Sequence, residues 1–187
     1  LLVRIKVLLQ IAKYSKELNV AYERFVPQEF LNCLGKNNVV DVQLGDQVEK
    51  EMTVMFSDIR GFTPLAESLT PQEVFDFLNS YLGQMEPIIS EYKGFIDKYI
   101  GDAIMALFPT HADNAVSCAI SMLKTLSKYN ELLARSEYPT IDIGIGMNTG
   151  PLILGTVGGQ HRMDGTVISD AVNLAARTEE LTKRYHT

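Results

Sequence analysis

Two carboxylates stand in settings that suit phosphate chemistry. The first lies in Phe56-Ser57-Asp58-Ile59-Arg60-Gly61-Phe62-Thr63, where an apolar, β-rich run ends in an acid and a glycine turn follows. Backbone N–H groups in such a turn, leading into a helix, can face phosphate oxygens. The second lies in Tyr99-Ile100-Gly101-Asp102-Ala103, at the tip of an expected hairpin. If the first strand runs beside that hairpin, Asp58 and Asp102 converge at one sheet end. Two acids at one point repel unless one is protonated or a metal joins them. Hard oxygen ligands suit Mg²⁺ or Mn²⁺. Two such ions ~3.5–4 Å apart clamp the attacking and leaving oxygens in phosphoryl transfer. Read singly, each Asp could instead cap a turn, a common role for this residue.

Other residues add to the pair. Asn173 and Arg177 are four apart in a helical stretch and so face one way, among the apolar Val172, Leu174, Ala175 and Ala176. Lys98 precedes Asp102 by four residues on the strand that carries it; alone it reads as a solvated charge. Cys33 and Cys118 are far apart, with no CxxC partner, and read as buried thiols. His111, His161 and His186 show no ligand spacing. These features suit a reducing, cytoplasmic setting. A net charge of -6 and a pI near 5.1 argue against a nucleic-acid footprint. They leave room for a polyanionic substrate if metals or a local Lys/Arg cluster supply positive charge.

The elements that must position these groups follow from periodicity. A length of 187 residues allows one domain plus an appendage. Residues 1–26 read as one helix, with Leu8, Ile11, Leu18, Tyr22 and Phe25 forming a heptad seam. That seam suits either an amphipathic helix packed on its own domain or a parallel coiled coil entering a dimer. Its first residues are broken by Arg4, Lys6 and Gln10, so it is too short to span a membrane and lacks a signal-peptide pattern. The start without Met points to a piece of something longer. Pro27 and Gly35 bound a short helix, Gln28 to Leu34, and a polar connector runs from Lys36 to Glu51. The expected divisions are therefore 1–26, 27–51 and 52–187.

From Met52 to Ser57 a strand is expected, then a helix from Pro71 whose stripe includes Phe77, Tyr81, Met85 and Ile89, stopped by Gly94. Phe95 to Ile100 and Ala103 to Phe108 form a hairpin. A second long helix carries Ala112, Val116, Ala119, Ile120, Leu123, Leu126 and Leu133. Ile141 to Met147 alternates as a strand, and Asn148-Thr149-Gly150-Pro151 should turn into another at Leu152 to Val157. Ser169 or Asp170 caps a last helix reaching about Arg184. The order βαββαβ, with a further strand and helix, is α+β and ferredoxin-like: an antiparallel sheet with helices on one face.

FSDIRGFT, KYIGDAIMALF, NTGPL and TVISDAVNLAAR, in this order, resemble the class III adenylate and guanylate cyclases. The two acids are 102 − 58 = 44 positions apart, which fits that family. RFVPQEFLNCLG is similar to the transducing element of multidomain bacterial cyclases, notably cyanobacterial ones, and the resemblance covers residues 22–187.

The resemblance implies that Asp58, Asp102 and the carbonyl of Ile59 bind two Mg²⁺ (or Mn²⁺), and that Gly61, Phe62 and Thr63 offer N–H groups to the triphosphate of ATP. It implies attack of the ribose 3′-oxygen on the α-phosphorus, with pyrophosphate leaving. Lys98 takes the position that reads the purine, Lys marking adenylate and Glu guanylate cyclases. An ammonium can only donate, so it favours adenine's ring-nitrogen acceptor over guanine's protonated nitrogen. Thr166 takes the second base-reading position. Asn173 would orient the ribose and Arg177 would stabilise charge on the α-phosphate. In the family these last two come from the opposite subunit, implying a homodimer with two equivalent sites driven by an upstream regulatory domain.

Two departures stand out. Ile141-Asp142-Ile143-Gly144-Ile145-Gly146 lacks the phosphate-binding Arg that some cyclases carry, and the family's C-terminal portion would lie beyond Thr187. A guanylate cyclase and a catalytically silent dimerisation or regulatory module are the rival readings. A diguanylate cyclase would need a Gly-Gly-Asp/Glu-Glu-Phe hairpin in place of Ile-Gly-Asp-Ala-Ile.

Overall fold

A computed structural model describes residues 2–23, 25–136, 138–159 and 162–185. The elements are α1 (Leu2–Glu23), α2 (Gln28–Cys33), β1 (Gln47–Ile59), α3 (Phe62–Glu67), α4 (Pro71–Glu91), β2 (Phe95–Ile100), β3 (Ala103–Phe108), α5 (Ala112–Arg135), β4 (Ile143–Gly159), β5 (Arg162–Ile168) and α6 (Asp170–Tyr185). The strands form one sheet in the order β2-β3-β1-β4-β5. By contact the chain divides into two compact units, Leu1–Val48 with Leu154–Thr166, and Glu49–Ile153 with Val167–Thr187.

The second unit holds the βαββαβ core expected from sequence. β1 pairs antiparallel with β3 from Thr53↔Phe108 to Ser57↔Ile104, and β2 pairs antiparallel with β3. Met55 and Ile59 of β1 with Ile104, Ala106 and Phe108 of β3 face α4 and α5, burying Tyr81, Met85, Ile89, Cys118, Met122 and Leu126. Period-two alternation sends Ile143, Ile145 and Met147 of β4 to that same face. The intervening Gly144 and Gly146 therefore face the other way, where α6 lies. A Cβ on Gly146 would strike the backbone of Ala175 and Glu179. Missing side chains are what let this helix sit directly on the strand.

Several local expectations change. β1 begins at Gln47 rather than Met52, because Glu49, Lys50 and Glu51 put charge on a half-exposed strand and hide its signal. Asn148-Thr149-Gly150-Pro151 makes no turn; β4 runs straight through it. Thr149 Oγ1 lies 2.8 Å from Thr53 Oγ1 on β1, and a Cβ on Gly150 would come within 3.2 Å of Ala171 on α6. The glycine there serves close approach, not chain reversal. The further strand is Arg162–Ile168, which alternation had not indicated.

Thr70 and Glu73 form a capping box at the start of α4, with Pro71 in the first turn. At its end Lys93, not Gly94, takes the left-handed conformation, with φ 63°. Gly94 is needed because a Cβ there would lie 2.5 Å from the Phe108 ring. On α5 the buried stripe is Ala115, Cys118, Ala119, Met122, Leu126, Tyr129 and Leu133. Val116, Ile120 and Leu123, expected in it, are exposed. Burial pushes the Cys118 thiol up to about 12, as suits an inert buried group.

In the first unit, α1 exposes Leu8, Ile11, Leu18 and Tyr22. α2 buries Phe30 and Leu31, and a Cβ on Gly165 would lie 2.8 Å from the Phe30 ring. Thr156 Oγ1 donates to the Gln43 carbonyl at 2.7 Å, and Lys36 pairs with Asp46 at 2.8 Å. No helix among the described residues is long and apolar enough to cross a membrane.

Candidate active site

The β1–β3 ladder ends at Ser57↔Ile104, so the next residue on β1 and the turn before β3 fall side by side. Asp58 and Asp102 meet there. The turn is tight: Ile100 pairs with Ala103, and Gly101 supplies the left-handed φ of 64° that two-residue connections require. Burial pushes the Asp102 carboxyl up to about 6, reinforced by a hydrogen bond shared with Asp58 and by that residue's negative charge. The N–H groups of Asp102 itself and of Ile59 pull the other way. Beneath the acids, Ser57 and Tyr81 are fully buried. Burial, with the negative charges of the two carboxylates nearby, pushes the Tyr81 phenol up to about 12, and neither its hydroxyl nor that of Ser57 makes a hydrogen bond among the described residues.

This pair of oxygen donors fits a hard divalent cation, since a metal would relieve the repulsion that now favours a proton. Among the described residues no cluster of three or more His, Cys, Asp or Glu side chains could hold one. Remaining ligands would therefore have to be backbone carbonyls, substrate oxygens or water.

A cation of the chain already stands at the site. Lys183 Nζ on the last turn of α6 donates to Asp58 Oδ2 at 2.8 Å, and this bond raises the ammonium above its ordinary value. One turn earlier, the half-buried Arg60 guanidinium pairs with the buried Glu179 at 2.8 Å and donates to Thr182 Oγ1. It fills the space a side chain on Gly144 would take. The Arg60 N–H also donates to the Asp142 carbonyl at 2.7 Å. The strand carrying Asp58 is thus tied to α6 by two ion pairs. None of Arg60, Glu179 and Lys183 was singled out from sequence. The available signal was Glu179, which falls at the spacing of Ala171 and Ala175 on the buried face of α6. A carboxylate on such a face is almost always paired.

Gly61, with φ 65°, caps α3 and turns the chain from Arg60 into Phe62 and Thr63. The Phe62 ring stacks on Phe77 of α4 with centroids 6.4 Å apart, which fixes the turn on the core. Lys98 lies on β2 opposite Met105, and Asp58 lies on β1 on the same sheet face, away from α4 and α5. The two strands flank β3, so these side chains start roughly 10 Å apart across the sheet. Asn173 and Arg177 are both exposed, on the outer side of α6 from Ala171, Ala175 and Glu179. Neither makes a side-chain hydrogen bond or ion pair among the described residues. Thr166 lies on β5 within the first unit. His161 and His186 fall outside the described residues. A cleft of about 320 Å³ between α4 and α5, lined by Glu73, Asp76, Phe77, Ser80, Tyr129 and Tyr138 among others, contains none of the expected site residues.

The chain is similar to known proteins in sequence and in fold. The adenylate cyclase of Anabaena cylindrica is 45% identical over 178 residues, covering 92% of this chain and 35% of its own length. The terminal-differentiation-specific adenylate cyclase of Dictyostelium discoideum is 42% identical over 180 residues, 94% of this chain and 8% of that protein. The chain thus spans a minor part of these curated relatives. Among solved structures, a bacterial light-regulated adenylyl cyclase superposes with TM-score 0.79 at 32% identity, over 97% of this chain and 53% of that one. The guanylyl cyclase Cya2 superposes with TM-score 0.67 at 34% identity, over 72% of this chain and 71% of that one. Residues 44–186 match the model of the adenylate and guanylate cyclase catalytic domain. With that match spanning the acid pair, the glycine turn and α6, the chain belongs to the adenylate and guanylate cyclase catalytic-domain family.

Proposed function

We propose that the chain is the catalytic domain of an adenylate cyclase, converting ATP to 3′,5′-cyclic AMP and pyrophosphate as a cytoplasmic homodimer. The observation that carries this reading is the convergence of Asp58 and Asp102 on the sheet face that also bears Lys98. Curated relatives named adenylate cyclase, at 45% and 42% identity, support the choice of purine. Residues 1–26 and 27–51 are read as the helix and connector through which an upstream domain acts.

Asp58 and Asp102, with the Ile59 carbonyl, would hold two Mg²⁺ or Mn²⁺. Bound there, the metals supply positive charge to the phosphates and to the attacking oxygen. The N–H groups of Gly61, Phe62 and Thr63 cradle phosphate oxygens at the left-handed turn. Lys98 donates to the adenine ring nitrogen, and Thr166 accepts from its amino group. Asn173 and Arg177 reach the partner's acid pair, where Asn173 orients the ribose and Arg177 meets charge building on the α-phosphate. Their exposure and lack of partners among the described residues suit donation to another subunit. The 3′-oxygen to α-phosphorus bond forms, the bond to the β-phosphate oxygen breaks, and the hydroxyl proton is released. Such a reaction needs in-line positioning and charge neutralisation more than covalent help.

The test is an assay with ATP and with GTP in Mg²⁺ or Mn²⁺, resolving cyclic from linear products. Metal-dependent cyclic AMP is expected, with cyclic GMP a minor product. Cyclic GMP as the main product would establish the guanylate alternative, and no cyclic product from the full-length protein would favour a silent module.

A further inference from the structure

Asp97 sits where the β2–β3 ladder is irregular. Ile96 pairs with Ala106 but Lys98 pairs with Met105, so the register shifts by one and leaves Asp97 as the extra residue. A bulge of this kind re-aims side chains next to functional sites. Ile96 packs on the helix-covered face. In a regular strand Lys98, two residues on, would follow it there. The shift instead returns Lys98 to the Met105 side, alongside Asp97.

The two neighbours are then in contact. Lys98 Nζ stands 3.1 Å from Asp97 Oδ2, with side-chain exposures of 37% and 2%. That oxygen is fully buried and makes no hydrogen bond, so the lysine charge is what answers it. A buried carboxylate keeps its charge only beside a cation, and separating the two would strand it. Lysine otherwise carries a compact charge on a flexible four-carbon stem. Asp97 restricts that freedom and fixes which way the remaining N–H groups point.

We propose that Asp97 is a positioning residue that aims Lys98, and so sets the preference for adenine over guanine. This rests on Lys98 reading the base. Asp97→Asn keeps the shape and removes the charge that holds the ammonium. An ammonium held less firmly meets adenine's acceptor less often and resists guanine's donor less.

The experiment measures kcat and KM for ATP and for GTP in the full chain, for wild type, Asp97→Asn, Asp97→Glu and Lys98→Glu, with thermal midpoints as a check on folding. In Asp97→Asn the ATP/GTP ratio of kcat/KM should fall about tenfold, the range expected of a charge-assisted contact. The loss should come mostly through KM for ATP, with kcat within about twofold. Asp97→Glu, which restores the charge one methylene further out, should recover part of the ratio. A ratio within about twofold of wild type in Asp97→Asn, with Lys98→Glu moving it strongly, overturns the role of Asp97 and leaves Lys98 as base reader. An unchanged ratio in Lys98→Glu overturns both. Should Asp97→Asn fail to fold, Asp97→Glu carries the test: a ratio indistinguishable from wild type overturns the inference.

Discussion

At the end of β1, Asp58 and Asp102 find polar partners within their own chain, whereas on the outer face of α6 Asn173 and Arg177 have none among the described residues. The first region is assembled by short-range devices: a strand register, a two-residue turn and a neighbouring helix end. The second is a pair of exposed side chains on a well-formed helix, with no hydrogen bond or ion pair among the described residues. The contrast separates what the fold completes alone from what it leaves for assembly. Half of the proposed site is internally satisfied to the point that Lys183 sits on Asp58. The other half is presented outward.

Mutations should respect this division. The largest effect is expected at the acids: Asp58→Ala or Asp102→Ala should lower cyclase turnover by about 10³-fold or more, since several kcal/mol of charge stabilisation is lost. Retained turnover in either variant would detach the acid pair from the chemistry. Next, Arg177→Ala should lower kcat by about 10²–10³-fold, the usual cost of a donor aimed at transition-state charge. Its affinity for a non-reactive ATP analogue, measured by titration calorimetry, should change little, and a matching loss of affinity would place Arg177 in ground-state binding instead.

A smaller effect tests the internal partner. Lys183→Met removes the cation that a metal must displace, so Mn²⁺ should bind up to about fivefold more tightly, the scale of a partly exposed ion pair. Electron paramagnetic resonance of free Mn²⁺ reads this without turnover, and weaker binding would show Lys183 helping the metal rather than competing with it.

The smallest effect is on stability. Because folding raises the Asp102 pKa to about 6, the folded state holds a proton that the unfolded state gives up near 3.8. Metal-free protein should therefore lose stability as pH rises from about 4 to 6, with no further loss from this group above that. Urea titrations in chelator should show the slope, and Asp102→Asn should abolish it. A slope that survives the substitution would have to come from other groups.

Much of this was legible in the residues themselves. The hairpin around Gly101-Asp102 was readable because a glycine-containing dipeptide between two β-rich runs leaves few alternatives. The αβ alternation followed from helical stripes that really are buried, as with Phe77, Tyr81, Met85 and Ile89. The acid pair followed from strand ends, since one residue past Ser57 the ladder stops. What escaped depends on contacts far apart in sequence. Local reading makes a turn of Asn148 to Pro151 and a helix stop of Gly94, yet Gly150 and Gly94 make room for Ala171 and Phe108. A missing Cβ looks the same in sequence whichever purpose it serves. The ties from Arg60 and Asp58 to Glu179 and Lys183 span more than a hundred residues, and no spacing rule reaches that far. The bulge at Asp97 depends on the partner strand's register, which single-strand alternation cannot contain.

The central claim is that one chain supplies the acids and another supplies Asn173 and Arg177. It is tested most directly by mixing two inactive variants, Asp58→Ala and Arg177→Ala, and measuring cyclic AMP formation against each alone. Random pairing makes half of the dimers mixed, each with one intact site of two, so about a quarter of wild-type activity should return. If the mixture stays as inactive as its parts while exchange into mixed dimers is demonstrated, the site lies within a single chain and the account is wrong.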